Sequence, residues 1–179
     1  MKAAFDYLGF CDSERYLLNQ VGPVFRATGR LNPVDFMAIL IWKAERAKNH
    51  HKKRLKSLGN CTFAEAVSQI SKGIHQSTSP KDRLKYLMDE WWFQLPTATA
   101  VLTILYPEDF TVFDWRVCDE VRINYEPWHY RGFSEGLWEH YLLFKKTVEA
   151  KGPQHLSLRD KDRFFIGRSY RKSIAKDCL

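Results

Sequence analysis

Trp91-Trp92-Phe93-Gln94-Leu95-Pro96-Thr97-Ala98-Thr99-Ala100-Val101-Leu102-Thr103-Ile104-Leu105-Tyr106-Pro107-Glu108-Asp109-Phe110-Thr111-Val112-Phe113-Asp114-Trp115-Arg116-Val117 is the stretch on which the fold turns. A short turn enters a helix over 96–105 built from small and apolar residues. Thr97, Ala98 and Ala100 let another backbone approach that helix closely. Tyr106-Pro107-Glu108-Asp109 ends it, and apolar Val112-Phe113 delivers one carboxylate, Asp114, ahead of Arg116. Set between large apolar side chains and Trp115, Asp114 is expected to be half-buried, which is costly unless the carboxylate is paired or used. It is equally suited to cap a short helix over 115–123.

Helix signals continue on both sides. Asn32-Pro33 places a capping side chain before a proline at the first helical position, followed by Phe36, Ile39, Leu40 and the Lys43 stem at helical spacing. Thr62-Phe63-Ala64-Glu65 is a capping box, and Gly73 is the expected stop of its helix. Ser79-Pro80 opens another helix with Leu84, Leu87 and Met88 on one stripe. Ser134 begins a long one that carries Leu137, Tyr141 and Phe144 up to Gly152-Pro153. Ser157 opens the last, with Asp160 completing its capping box. Residues 48–61 and 76–79 read as loops. Period-2 runs and Asn-Gly or Asp-Gly turns between apolar stretches are wanting, so the expected class is all-α.

The 179 residues suit one domain or two small lobes. They are 45% hydrophobic and 27% charged, and include 26 aromatic side chains, enough for a sizeable core. No apolar run approaches the roughly 18 residues of a membrane span, and Met1-Lys2-Ala3-Ala4-Phe5-Asp6 does not read as a signal peptide. The expectation is a soluble intracellular protein. Cys11, Cys61, Cys118 and Cys178 are too far apart for a Cys-x-x-Cys metal or cluster site and read as reduced thiols. His50, His51, His129 and His140 form no His-Glu-x-x-His pattern, so no metal is expected. The parts of an NTPase, a dinucleotide enzyme and an α/β-hydrolase are missing as well. The net charge of +7 is concentrated: residues 43–56 carry +6, residues 151–179 carry +5, and the remainder nets −4. Two basic patches on an otherwise acidic chain suit an extended polyanion.

Around Thr97-Ala98 and Phe113-Asp114-Trp115-Arg116-Val117 the chain resembles the helix-hairpin-helix (HhH-GPD) DNA glycosylase superfamily. Its hairpin is followed by a Thr-Ala pair and, further on, by an Asp. The likeness is closer to a branch of that superfamily with an upstream Trp-Lys and a downstream Arg-Asp-x-Asp-Arg, here Trp42-Lys43 and Arg159-Asp160-Lys161-Asp162-Arg163. The hairpin departs from the pattern. Trp92, Phe93 and Gln94 occupy the region of the family's two glycines, which reach a DNA phosphate and hold a monovalent cation. Pro96 falls where endonuclease III-like members carry their Schiff-base lysine.

The resemblance implies two α-helical lobes with a cleft between them. Residues 79–123 would form the central lobe with the hairpin and Asp114, and 1–78 plus 124–179 the second. It implies a monofunctional glycosylase that removes a damaged, mispaired or modified base from double-stranded DNA, in repair or against foreign DNA. The protein would act as a cytoplasmic monomer, nucleoid-associated in a bacterium, with no cofactor beyond a cation at the hairpin. Asp114 would stabilise the positive sugar; any strand cleavage would need another lysine, and Lys43 is the first substitute to test. Trp42 and Phe165 would wall the base pocket, with Asp162 or Lys43 reading the base. Phe93 or Gln94 would meet the opened DNA beside Thr97 and Arg116. Lys52, Lys53, Arg54, Arg168, Arg171 and Lys172 would grip phosphates. Two other readings fit the same residues: a non-catalytic DNA-binding helical domain, and an all-α protein-interaction module.

Overall fold

The computed structural model describes residues 11–178, apart from the side chain at position 177. Ten α-helices follow one another among the described residues: α1 (Ser13–Tyr16), α2 (Gly22–Thr28), α3 (Pro33–Ala44), α4 (Lys48–Gly59), α5 (Phe63–Gln76), α6 (Pro80–Asp89), α7 (Leu95–Leu105), α8 (Trp115–Val121), α9 (Glu135–Lys151) and α10 (Leu158–Cys178). A π-helical turn (Leu17–Val21) joins α1 to α2, and 3-10 turns occupy Glu45–Ala47 and Trp128–Tyr130. No strand occurs among the described residues, and no helix among them is long and apolar enough to cross a membrane.

The expected caps form. Asn32 accepts the Asp35 N–H at 2.8 Å, Ser79 that of Asp82 at 3.1 Å, Ser134 that of Leu137 at 3.1 Å, and Ser157 that of Asp160 at 3.1 Å. At α5 both halves of the capping box are made, with Glu65 Oε2 accepting the Thr62 N–H at 2.8 Å. Each cap satisfies an amide that the helix itself leaves free.

Two boundaries differ from expectation. Residues 48–61 are mostly helix. α4 buries only His51 and Leu55, one turn apart, and no side chain caps its start, so its sequence carries little periodic signal. The second difference is Gly73, which α5 passes without stopping. A Cβ built there would lie 2.0–2.4 Å from the Tyr86 ring, so the glycine is where α6 crosses α5 at close range. The rigid ring has little room to yield, and Gly73→Ala is expected to destabilise the fold by about 1–3 kcal/mol, read as a lowered chemical-denaturation midpoint.

α7 is the hub. Ten of its eleven residues are buried, with Thr97 the exception, and α3, α6 and α2 pack around it. Its small side chains are the reason several helices can approach one axis. The Arg26 guanidinium donates to the Leu105 carbonyl at 2.7 Å and closes its C-terminal end. α8 packs chiefly on α10 and then on α9. The buried apolar residues form one cluster running from Leu17 to Phe165.

His51 sits in that cluster with its ring 5.9 Å from Phe93. Burial, then the charges of Arg54 and His50, depress it to about 4. The folded protein thus holds His51 neutral, whereas an unfolded chain protonates it below about 6.5. Stability contributed by the neutral ring is complete above pH 6.5 and drains away as pH falls toward 4. His51→Phe should flatten that part of the stability–pH curve in urea titrations at pH 7, 5.5 and 4.5.

Candidate active site

Asp114 is placed by residues 110–114, a segment outside any helix or strand. Within it, backbone groups of Thr111 and Phe113 bond to side-chain hydroxyls. The Tyr141 hydroxyl accepts the Thr111 N–H and donates to the Thr111 carbonyl, both at 3.0 Å. Thr99 Oγ1 accepts the Phe113 N–H at 3.0 Å while donating to the Leu95 carbonyl at 2.7 Å. The Phe113 ring is locked against Tyr125 at 5.3 Å and Phe144 at 5.0 Å. The chain is therefore held on both sides immediately before the carboxylate, and Asp114 can take only a narrow range of positions.

Asp114 caps α8, as one reading of the sequence anticipates: Oδ1 accepts the Arg116 N–H at 2.9 Å. Oδ2 faces the Lys43 ammonium at 3.0 Å, and both side chains are about one-fifth exposed. Lys43 comes from the last turn of α3, 71 positions earlier. The pair borders a pocket of about 360 Å³ that also takes in Glu14, Trp42, Val112, Arg159 and Gly167. Burial, then the charge of Asp114, raises the Cys118 thiol behind it, and the same two causes lift the Tyr125 phenol to about 12.

Trp42 forms one wall, with the Arg159 guanidinium 5.1 Å from its ring centre. Arg159 is itself aimed by two carboxylates, Glu14 at 2.9 Å and the closely bonded Asp162. Beyond Trp42 lies a second hollow of about 390 Å³, lined mainly by apolar side chains such as Met37, Ile41 and Phe63. It offers little with which to orient a polar ligand.

Several expected residues stand elsewhere. Asp162 is fully buried and does not reach the pocket. Burial outweighs Arg159 and holds its carboxyl above the ordinary range, and its work is to fix Arg159 rather than to read a base. Phe165 is likewise fully buried and touches Phe164 and Arg168 rather than the cavity. Phe93 points into the core against Phe36 and His51, so it cannot wedge DNA. Its neighbour Trp92 is 63% exposed and takes a left-handed φ of 52°, the conformation a glycine would favour. The turn between α6 and α7 therefore displays Trp92 and Gln94, with Thr97 half-covered behind them.

The basic residues divide as well. Lys52 and Lys53 are exposed on α4 rather than on a loop, while Arg54 lies 5.1 Å over the Phe93 ring and is half-buried. Arg168 and Lys172 are both engaged by Glu120, whose side chain is only 3% exposed, so neither is a free phosphate ligand. Arg171 is exposed and has no ion pair among the described residues. All four cysteines are free thiols. Among the described residues no three His, Cys, Asp or Glu side chains converge as a metal cage would require.

No family model, curated protein or solved structure matches the chain. The site must be read from its own geometry. Sequence reasoning missed Glu14, Arg159 as a pocket wall, and Trp92. The first two are 145 positions apart and carry no local signal of contact. Trp92 had a signal: it stands where the resemblance puts glycines, and it takes the left-handed φ that glycine favours.

Proposed function

We propose that this chain is a monofunctional DNA glycosylase that hydrolyses the N-glycosidic bond of a damaged, mispaired or modified base in double-stranded DNA. One observation carries the reading. The carboxylate that follows the hairpin and α7 is partly exposed at a pocket with an aromatic wall, and is held there by a segment with almost no freedom. Cleaving the bond places positive charge on the deoxyribose. An anchored Asp114 stabilises that charge where it develops and orients the attacking water. In the resting site the Lys43 ammonium occupies the same electrostatic position, and an everted nucleotide must share or displace it. Base eversion costs roughly a few kcal/mol. The Trp42 face offers stacking in return, and Trp92 with Gln94 on the hairpin offers contacts to the opened duplex. Exposed Lys52, Lys53 and Arg171 add phosphate contacts and salt-sensitive affinity. The two-lobed arrangement, with residues 79–123 as the central lobe, belongs to this reading.

A second reading has its own observation: both oxygens of Asp114 are already engaged, one by the Arg116 amide and one by Lys43. A carboxylate so clasped also suits a DNA-binding domain without catalysis. The deciding experiment incubates the protein with duplexes carrying a panel of modified and mismatched bases, then adds alkali to reveal abasic sites. Strand breaks on at least one duplex, and no borohydride-trapped adduct through Lys43, are expected. Salt-dependent duplex binding with no abasic sites across the panel would favour the second reading.

A further inference from the structure

Arg116 is held between two aromatic rings. Its guanidinium carbon lies 4.3 Å from the Trp115 ring centre and 4.4 Å from that of Tyr170 on α10. Its one side-chain hydrogen bond is a long one, 3.4 Å, to the Ser169 hydroxyl, and it makes no salt bridge among the described residues. Both rings are 52% exposed, and neither stacks on another ring among the described residues. Cation–π stacking on two half-exposed rings leaves apolar ring surface and an unneutralised positive charge facing solvent together.

The second observation is Gly167. It lies in the interior of the 21-residue α10, where glycine is less favourable than alanine. No left-handed φ requires it, and a Cβ built there meets nothing within 4 Å. Neither backbone conformation nor packing accounts for the missing side chain. Gly167 does line the Asp114 pocket, and it shares a helix face with Arg163, Tyr170 and Arg171 through spacings of four, three and four residues. Bare backbone thus runs from the pocket toward the Trp115–Arg116–Tyr170 stack.

We propose that this stack is a nucleobase platform, seating the base next to the everted nucleotide, and that Gly167 is kept small to let the strand pass. The proposal rests on the reading of the Asp114 pocket as a nucleotide site. The occupant is identified by charge and shape together: a flat ring for the aromatic faces, attached to an anionic backbone for Arg116 and the exposed Arg171. Stacking of this kind tolerates any base, so the platform adds affinity without sequence preference.

The test measures binding of the full-length protein to a fluorescent duplex with a central mismatch, and the fluorescence of 2-aminopurine placed beside that mismatch. Wild-type protein should quench the 2-aminopurine. Trp115→Ala and Tyr170→Ala should each weaken binding about 5- to 50-fold and release the quench, with Trp115→Phe restoring most of it. Gly167→Leu should weaken binding comparably. Gly167→Ala should raise the melting temperature by roughly 1–4 °C, because the added methyl favours the helix and meets no neighbour. The leucine variant points into open space and remains folded even where removal of an aromatic ring loosens α8. Folded variants that bind and quench like wild type would overturn the platform and leave the glycosylase reading standing. A wild-type protein that binds no DNA would remove both.

Discussion

Asp114→Asn should lower abasic-site formation by about 10²–10³-fold while leaving duplex affinity within about threefold of wild type. The substitution isolates charge from structure unusually well. Asparagine caps a helix about as well as aspartate, so the Arg116 amide keeps its acceptor and α8 keeps its start. Lys43 loses its anion but is itself partly exposed, and water covers the difference; the stability change should stay within about 1 kcal/mol. Parallel melting curves and glycosylase assays check the separation. Equal activity in the two proteins would strip Asp114 of any chemical role and leave it as a clasp between α3 and α8.

Tyr141→Phe should be the most damaging single-atom deletion in the site's support. The phenol oxygen serves both the N–H and the carbonyl of Thr111, each at 3.0 Å, in a fully buried setting. Phenylalanine fills the same space and satisfies neither group. Orphaning two buried backbone groups costs about 1–3 kcal/mol each, so a loss of about 2–6 kcal/mol is expected. Thermal melting should register it as a fall of several degrees at least. At temperatures where the variant is still folded, turnover should fall as well, because the segment presenting Asp114 is no longer pinned on that side. A variant with unchanged melting would mean that water replaces the hydroxyl.

What the sequence revealed, and what it hid, follows the range of the forces involved. Caps at Asn32, Thr62, Ser79, Ser134 and Ser157 were legible because a side chain bonds an amide three residues away. The hub helix was legible from its run of small and apolar residues. α4 was not, since Ala47 offers no side-chain cap and only two positions turn inward. Asp114 and Lys43 were singled out separately, but their 3.0 Å contact spans 71 positions and no local rule predicts it. That Trp92 rather than Phe93 faces solvent turns on one backbone angle. With φ of 52° at Trp92, the turn sends the next ring into the core and the tryptophan outward.

The pocket draws on distant parts of the chain: Glu14 near one end of the described residues, Lys43 and Asp114 between, and Arg159 on α10. A ribosome that has released everything through α9 has already delivered the acidic group and its lysine. The wall that holds Trp42 in place is still to come. Nascent protein therefore carries Asp114 and Lys43 without the recess that borders them, and the pocket is completed only when Arg159 on α10 meets Glu14 on α1.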